Sequence, residues 1–188
     1  MRARTVILIT SNFQKALEIK AALKPYGIEV VTRALELDEL QADDIATVVA
    51  HKAEQAYALT KAPVIVDDTG IYFSGYKNYP GVYSKHVAIG LGFKGLSRLI
   101  TPNQGAEFVS YIAFKGSAKQ APVLFKGTCK GKLITTIRGK RKKKMPYDNL
   151  FIPNGDTLTF AQMGVANKQK YDHRSKAVRK FAKYYSKV

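Results

Sequence analysis

Pro63-Val64-Ile65-Val66-Asp67-Asp68-Thr69-Gly70 joins a short apolar run to two adjacent carboxylates. The continuous β-branched run is typical of a strand buried on both faces of a sheet. Successive side chains of a strand point to opposite faces, but Thr69-Gly70 favours a change of direction, so we expect an acidic turn here. Carboxylates at strand ends can bind Mg²⁺ or accept a proton from water, whereas an Asx-turn explains the same residues without any function.

Hydrophobic periodicity predicts strands and helices on both sides of this stretch. Before it we expect a strand at 5–10, a helix capped by Ser11 or Asn12 and ended by Pro25, a strand at 28–31, and a helix from Asp43 or Asp44 to before Pro63. After it we expect a loop at 74–81, a helix at 84–100, strands at 106–114, 123–131, 133–138 and 149–152, a helical turn at 159–163 and a helix at 172–187. This order predicts an α/β protein with a mixed sheet, one domain over residues 1–188 with two lobes and a central ligand cleft.

Charge is unevenly distributed along the chain. The 188 residues carry a net charge of +17, with 12 basic and 11 acidic residues up to position 108 but 19 basic and only 3 acidic residues after it. Such a field attracts polyanions, so nonspecific nucleic acid is one candidate partner. The chain lacks an apolar segment long enough for a signal peptide or a membrane span, which predicts a cytoplasmic protein. The single cysteine, Cys129, excludes an internal disulfide and should be a buried apolar residue.

Four further segments carry candidate functional groups. Thr10-Ser11-Asn12-Phe13-Gln14-Lys15 places hydroxyls, an amide and a lysine at a helix N-terminus, which suits phosphate, although a plain cap with a solvated lysine is the alternative. The acidic stretch 36–44 is either a solvated loop or the source of a metal-binding carboxylate. Asp172-His173-Arg174, with Lys168 before it, is either a helix cap or a set of donors to a base or phosphate. The basic run 138–144 is either a flexible loop or a grip on polyphosphate.

Together these segments resemble the inosine triphosphate pyrophosphatase family, house-cleaning enzymes that hydrolyse non-standard purine nucleoside triphosphates to monophosphate and pyrophosphate. The similarity runs in order over nearly the whole chain. The matching segments are Thr10-Ser11-Asn12 with Lys15, Leu37-Asp38-Glu39-Leu40-Gln41, Lys52, Asp67-Asp68-Thr69-Gly70, Pro80-Gly81-Val82-Tyr83-Ser84, Tyr147-Asp148 with Phe151, Thr159-Phe160-Ala161-Gln162-Met163 and His173-Arg174.

The resemblance implies a set of roles around a nucleotide-binding cleft. It implies hydrolysis of ITP, dITP and XTP with Mg²⁺, Asp68 as general base, Lys52 as a second catalytic residue, and a metal held by Glu39 with Asp68 or Asp67. Thr10, Ser11, Asn12 and Lys15 would bind the triphosphate. The base and the rest of the substrate would be bound by Thr69, Ser84, Met145, Tyr147, Asp148, Lys168, His173 and Arg174. A homodimer is also implied.

The chain departs from the family pattern near the expected base pocket. Met145 replaces a phenylalanine that stacks on the purine, Asp172 replaces the serine before His173, and His86 stands where many members have arginine. The basic loop is about two residues longer. These departures affect base selectivity more than hydrolysis. Two alternatives therefore stay open: a pyrophosphatase of the same fold with another base preference, such as modified pyrimidines, or a nucleic-acid-binding protein on this fold.

Overall fold

A mixed seven-stranded sheet organises the chain. The computed structural model describes residues 4–141 and 144–187. The strands are β1 Arg4–Ile9, β2 Ile28–Arg33, β3 Val64–Phe73, β4 Pro80–Gly81, β5 Gly105–Lys115, β6 Val123–Leu133 and β7 Phe151–Pro153. Their order is β2-β1-β3-β5-β6-β7, with β4 paired to β3 beside this path. The pairs β1–β2 and β1–β3 are parallel and the others antiparallel, so the prediction of a mixed α/β sheet is confirmed.

Two helices flank the parallel end of the sheet as predicted. Helix α1 covers Phe13–Leu23, and the Asn12 side chain caps it by accepting hydrogen bonds from the first-turn amides. Helix α2 covers Ile45–Thr60, and Asp44 caps it through the backbone N–H of Thr47. The buried residues of α2 are Ile45, Val48, Val49, Ala53 and Ala56. The helix packs against β3 and β5 and so covers one face of the sheet.

The predicted acidic turn is wrong, because β3 continues without interruption through Asp67, Asp68, Thr69 and Gly70. All four residues pair in antiparallel register with β5. Gly70 lets β4 and α2 approach β3 closely, since a Cβ there would meet the backbone of Gly81 on β4 and lie 2.9 Å from Cδ1 of Ile45. Long-range pairing therefore overrides the local turn signal.

The second half differs from the prediction in two further strands and one helix. The strands expected at 123–131 and 133–138 are a single strand, β6, and residues 134–138 are irregular. The segment Pro146–Asn149 is a short 3₁₀ helix, so the strand expected at 149–152 begins later, at Phe151. Helix α4, Val165–Tyr171, was not predicted because its sequence lacks an apolar stripe.

Two longer helices of the second half agree with the prediction. Helix α3, Ser84–Leu99, changes direction at Gly92, whose φ of 58° lies in the left-handed region. Helix α5, His173–Tyr185, is capped by Asp172, whose side chain accepts from the Ser175 N–H. α5 packs closely on β6, because a Cβ at Gly127 would lie only 2.5 Å from the backbone nitrogen of Ala177. This close approach fixes the start of α5 beside the sheet.

Three groups of buried apolar side chains hold these layers together. One joins α1 and α5 to β1, β3 and β5, and a second joins α2 to the opposite face of the same strands. The third joins α3 to the far ends of β3, β5 and β6 through Phe108, Phe151 and Phe160. Cys129 belongs to this third group, and burial raises the pKa of its thiol to about 11, which confirms it as a buried apolar residue. Within the described residues, no helix has the length and apolar character needed to cross a bilayer.

Candidate active site

A cavity of about 710 Å³ lies where the start of α1, the middle of β3, helix α3, the segment 144–148 and the start of α5 meet. It brings together nearly all the predicted site residues. Those lining it are Thr10, Ser11, Asn12, Lys15, Glu39, Lys52, Asp67, Asp68, Thr69, Ser84, Met145, Tyr147, Asp148, His173 and Arg174. Lys168 is the exception, because it lies behind the cavity wall and is only 2% exposed.

The segment before α1 forms a hydrogen-bonded wall of the cavity. The Asn12 Oδ1 accepts from the N–H groups of Gln14 and Lys15 at 3.1 and 3.4 Å, and the Thr10 Oγ1 accepts from the Asn12 N–H at 3.1 Å. Lys15 is an ion-pair partner and only partly exposed, since its Nζ lies 2.7 Å from Asp67 Oδ2. The segment is thus a helix cap that also directs an ammonium group into the cavity.

Lys52 lies between two carboxylates on the second wall. Its Nζ is 3.1 Å from Asp68 Oδ2 and 3.4 Å from Glu39 Oε1. Burial opposes the charge of Lys52, but the neighbouring Asp68 carboxylate outweighs it and raises the lysine pKa. Burial likewise opposes the charge of Glu39, yet Lys52 and Lys85 hold its pKa below the ordinary value. Lys52 and Glu39 are therefore both charged at neutral pH.

Asp67 is enclosed by cations and a hydroxyl. Burial favours its neutral form, but Arg174 and Lys15 overcome this effect and hold the pKa of Asp67 far below the ordinary range. Its Oδ1 accepts from Ser110 Oγ at 2.8 Å and from Arg174 Nε at 3.2 Å. Asp68, the next residue, points to the opposite face of β3 toward Lys52, as strand alternation requires.

Behind the cavity, Arg174 and Lys168 share the carboxylate of Glu18 on α1. Arg174 donates from Nη1 to Glu18, and Lys168 Nζ lies 2.7 Å from Glu18 and 2.7 Å from Asp148. Lys168 Nζ also lies 4.9 Å from the centre of the Phe160 ring. The result is a continuous, mostly buried chain of alternating charges that passes through Asp67 and ends at Lys15.

His173 is a neutral residue of the cavity wall. Burial, followed by the positive charges of Arg174 and Lys168, lowers its pKa well below the ordinary value. Its ring stacks on Phe108 with the centroids 4.5 Å apart. Within residues 4–141 and 144–187, the buried Nδ1 has no hydrogen-bond partner. The residue lines the cavity, while Nδ1 itself is enclosed.

The segment 145–148 forms the wall nearest α3. Tyr147 donates its hydroxyl to the carbonyl of Ser84 at 2.9 Å, and burial raises the pKa of this phenol. The Ser84 hydroxyl bonds backbone atoms, donating to Gly81 O at 2.6 Å and receiving the Ile71 N–H at 2.9 Å. Met145 is 8% exposed and lines the cavity. Ser84 and Tyr147 therefore fix the shape of the wall through backbone contacts.

Sequence patterns did not identify three features of the site. Glu18 is one, because an acidic residue on an amphipathic helix gives no sign of partners 150 and 156 residues away. The apolar wall formed by Ile89 and Phe93 on α3 is another. The third is Lys144, which was assigned only to the basic run; Lys142 and Lys143 of that run lie outside the described residues.

Comparison with known proteins identifies the class: the chain belongs to the Ham1 family, whose sequence profile matches residues 6–184. A Methanopyrus kandleri protein named dITP/XTP pyrophosphatase is 36% identical over 182 residues, which cover 96% of this chain and 95% of that protein. The inosine triphosphate pyrophosphatase of Yarrowia lipolytica is 33% identical over 178 residues, 94% of this chain and 93% of its own. The structure of a HAM1 protein from Coxiella burnetii has the same fold, with a TM-score of 0.80 at 21% identity over 98% of this chain and 100% of that one.

We predict that Glu18→Gln strongly destabilises the fold. Removing this carboxylate leaves Lys168 and Arg174 buried with too little negative charge, and breaking a buried ion pair in this way typically costs about 3–5 kcal/mol. Urea unfolding followed by circular dichroism measures the effect. The control is Glu29→Gln, the same change at an exposed strand position, which should alter stability by less than about 0.5 kcal/mol. Equal stabilities of the two variants would contradict a structural role for Glu18.

Proposed function

We propose that the protein hydrolyses non-standard purine nucleoside triphosphates (ITP, dITP and XTP) to nucleoside monophosphate and pyrophosphate. The observation that carries this proposal is that one cavity joins a helix N-terminus with lysines, a carboxylate–lysine cluster and an apolar pocket beside a neutral histidine. These three parts suit a triphosphate, its reacting phosphorus and a base, respectively. The names of the curated relatives agree with this assignment.

The triphosphate lies along the start of α1 in this proposal. Ser11, Asn12 and Thr10 surround the positive end of the helix, and Lys15 supplies an ammonium group beside them. Lys52, on the next wall, is held in its charged form and neutralises the negative charge that accumulates as the bond to the leaving pyrophosphate breaks. Both lysines keep a fixed position because each is tied to a carboxylate.

Glu39 and Asp68 are the residues that fit a divalent metal ion, which we propose to be Mg²⁺. One oxygen of each carboxylate contacts the same cation, the Lys52 ammonium. Carboxylate oxygens are also the ligands that Mg²⁺ prefers. Asp67, the other candidate ligand, fits less well, because Lys15, Ser110 and Arg174 already occupy its oxygens. When bound, the ion would neutralise phosphate charge and polarise the reacting phosphoryl group.

Asp68 is the general base in the proposed reaction. Its side chain is 25% exposed, whereas that of Asp67 is fully enclosed, so only Asp68 can reach a water molecule in the cavity. Asp68 accepts the proton as the water oxygen forms a bond to the α-phosphorus. The bond between that phosphorus and the bridging oxygen of the pyrophosphate breaks, which releases pyrophosphate and leaves the nucleoside monophosphate.

The base lies against Met145 and His173 in the same proposal. The neutral imidazole of His173 lines this part of the cavity together with Arg174 and Thr69, which would lie beside the base. Met145 packs on the ring but lacks the aromatic stacking of a phenylalanine, a difference of ~1 kcal/mol. Lys168 acts indirectly, since its ammonium holds Asp148 in the wall from behind. The alternative is a pyrophosphatase of the same fold whose pocket at Met145 and His173 binds another base, such as a modified pyrimidine.

We predict that Asp68→Asn lowers kcat for ITP hydrolysis by at least about a hundredfold, because the amide cannot accept the proton of the attacking water. The measurement is pyrophosphate release with Mg²⁺ across ITP, dITP, XTP, the four standard triphosphates and modified pyrimidine triphosphates. The control, Asp43→Asn, makes the same change at an exposed residue outside the cavity. Full activity of Asp68→Asn would refute the mechanism, and absence of turnover of every triphosphate by the unmodified protein would refute the function.

We propose nonspecific nucleic-acid binding as a second function, favoured by a group of exposed lysines on β6 and α5 that we call the β6–α5 ridge. It consists of Lys126, Lys130, Lys132, Lys176 and Lys180. Lys176 and Lys180 donate to the carbonyls of Thr128 and Lys126 at 2.9 and 2.7 Å, which brings them to the open edge of β6. Of the three acidic residues after position 108, Asp148 and Asp172 are buried, and Glu107 is the acidic residue that lies directly opposite a ridge lysine, Lys130, in the pairing of β5 with β6.

We predict that the triple change Lys126→Gln, Lys176→Gln and Lys180→Gln weakens binding of a labelled single-stranded 20-mer and flattens its salt dependence by about 2 in log–log slope. Fluorescence anisotropy over a salt series measures both effects. The control carries Lys20→Gln, Lys24→Gln and Lys61→Gln, three exposed lysines of the other half of the chain. Equal slopes for the two triple variants, or no binding at low salt, would refute the ridge as a nucleic-acid surface, while ITP hydrolysis should be the same in both.

We also propose a cytoplasmic homodimer, as the family resemblance implies. Exposed apolar side chains such as Phe13, Leu59 and Ile89 provide candidate contact surface. Light scattering after size-exclusion chromatography measures the molar mass, and a mass of 20.8 kDa would contradict a dimer.

A further inference from the structure

Lys144 lies at the rim of the cavity, between the start of α1 and Met145. Its Nζ donates to the carbonyl oxygen of Ser11 at 3.1 Å, and its own carbonyl accepts from Asn12 Nδ2 at 3.4 Å. The side chain is exposed and belongs to the cavity lining. These two contacts bring the segment around Lys144 onto the wall that carries Thr10 and Lys15.

Lys144 differs electrostatically from the other cations of the cavity. Lys15 pairs with Asp67, Lys52 with Asp68, Lys85 with Glu39 and Arg174 with both Glu18 and Asp67. Lys144 has no carboxylate partner within the described parts of the chain, and its ammonium group contacts only a neutral carbonyl. It therefore contributes a positive charge to the cavity that the protein itself does not neutralise.

We infer that Lys144 is a further substrate-binding residue, whose ammonium binds the phosphate chain of the nucleoside triphosphate. A phosphate oxygen is a stronger acceptor than the Ser11 carbonyl, because it carries a negative charge that attracts the ammonium group directly. The flexible four-carbon stem of lysine lets the ammonium exchange one acceptor for the other beside the helix N-terminus.

The inference rests on the proposed function and extends it. Binding by Lys144 involves the phosphate chain in the ground state and in the transition state alike, so it should change KM and leave kcat nearly unchanged. This pattern separates Lys144 from Asp68, whose loss should act on kcat. It also makes Lys144 specific for the polyphosphate, with no contribution to the choice of base.

The test compares Lys144→Met with Lys144→Arg and with Lys140→Met. Methionine keeps most of the side-chain length but removes the charge, arginine restores the charge, and Lys140→Met removes a charge from the same exposed segment at a residue outside the cavity lining. Two quantities are measured: KM and kcat for ITP, and the dissociation constant of inorganic tripolyphosphate by calorimetry. The second needs no turnover.

Lys144→Met should raise both KM and the tripolyphosphate dissociation constant about tenfold, which corresponds to about 1.4 kcal/mol, with kcat within about twofold. Lys144→Arg should restore most of the affinity, and Lys140→Met should behave like the unmodified protein. Tripolyphosphate affinities that agree between Lys144→Met and Lys140→Met would overturn the inference while hydrolysis stands. Absence of ITP hydrolysis in the unmodified protein would overturn the proposed function and leave the tripolyphosphate comparison intact.

Discussion

The rest of the site depends on a buried chain of alternating charges. In order of contact, its members are Lys15, Asp67, Arg174, Glu18, Lys168 and Asp148. They come from α1, β3, α5, α4 and the 3₁₀ helix before β7, so five separate elements must assemble before every charge is paired. Charges in a protein interior cost free energy unless they are paired and hydrogen-bonded. The network therefore favours one relative arrangement of these elements and penalises alternatives in which a charge is left alone.

The same network explains how two neighbouring aspartates acquire different properties. Because β3 is extended, Asp67 and Asp68 lie on opposite faces of the sheet. Asp67 faces α1 and α5, where cations enclose it and keep it ionised. Asp68 faces α2, where Lys52 is its one ion-pair partner among the described residues and its side chain stays accessible. Had residues 67–70 formed a turn, both carboxylates would face one site and repel each other. The extended strand therefore buries the carboxylate of Asp67 among its ion-pair partners and leaves the carboxylate of Asp68 accessible.

Local sequence patterns predicted what depends on local interactions. The caps at Asn12, Asp44 and Asp172 follow from short-range hydrogen bonding, and the structure confirms them. The course of β3 past Asp67 could not be predicted in this way, because it depends on pairing with β5, about forty residues later. Glu18 was missed for the same reason: its partners are brought near only by the complete fold. The ordered motifs of a known family identified the residues of the cavity. They did not distinguish residues that line the cavity from residues such as Lys168 that lie behind its wall.

The departures from the family pattern can now be weighed by position. Asp172 does not line the cavity; its carboxylate accepts from Ser175 N and Oγ at 2.8 and 2.7 Å, so it acts as a buried helix cap. His86 is 61% exposed and lies 3.8 Å from Glu39, near the proposed metal carboxylates and not the base pocket. Met145 alone of the three lies in the wall where the base is proposed to bind. Of these three substitutions, Met145 is therefore the one placed to change the base preference, since the other two are directed away from that wall.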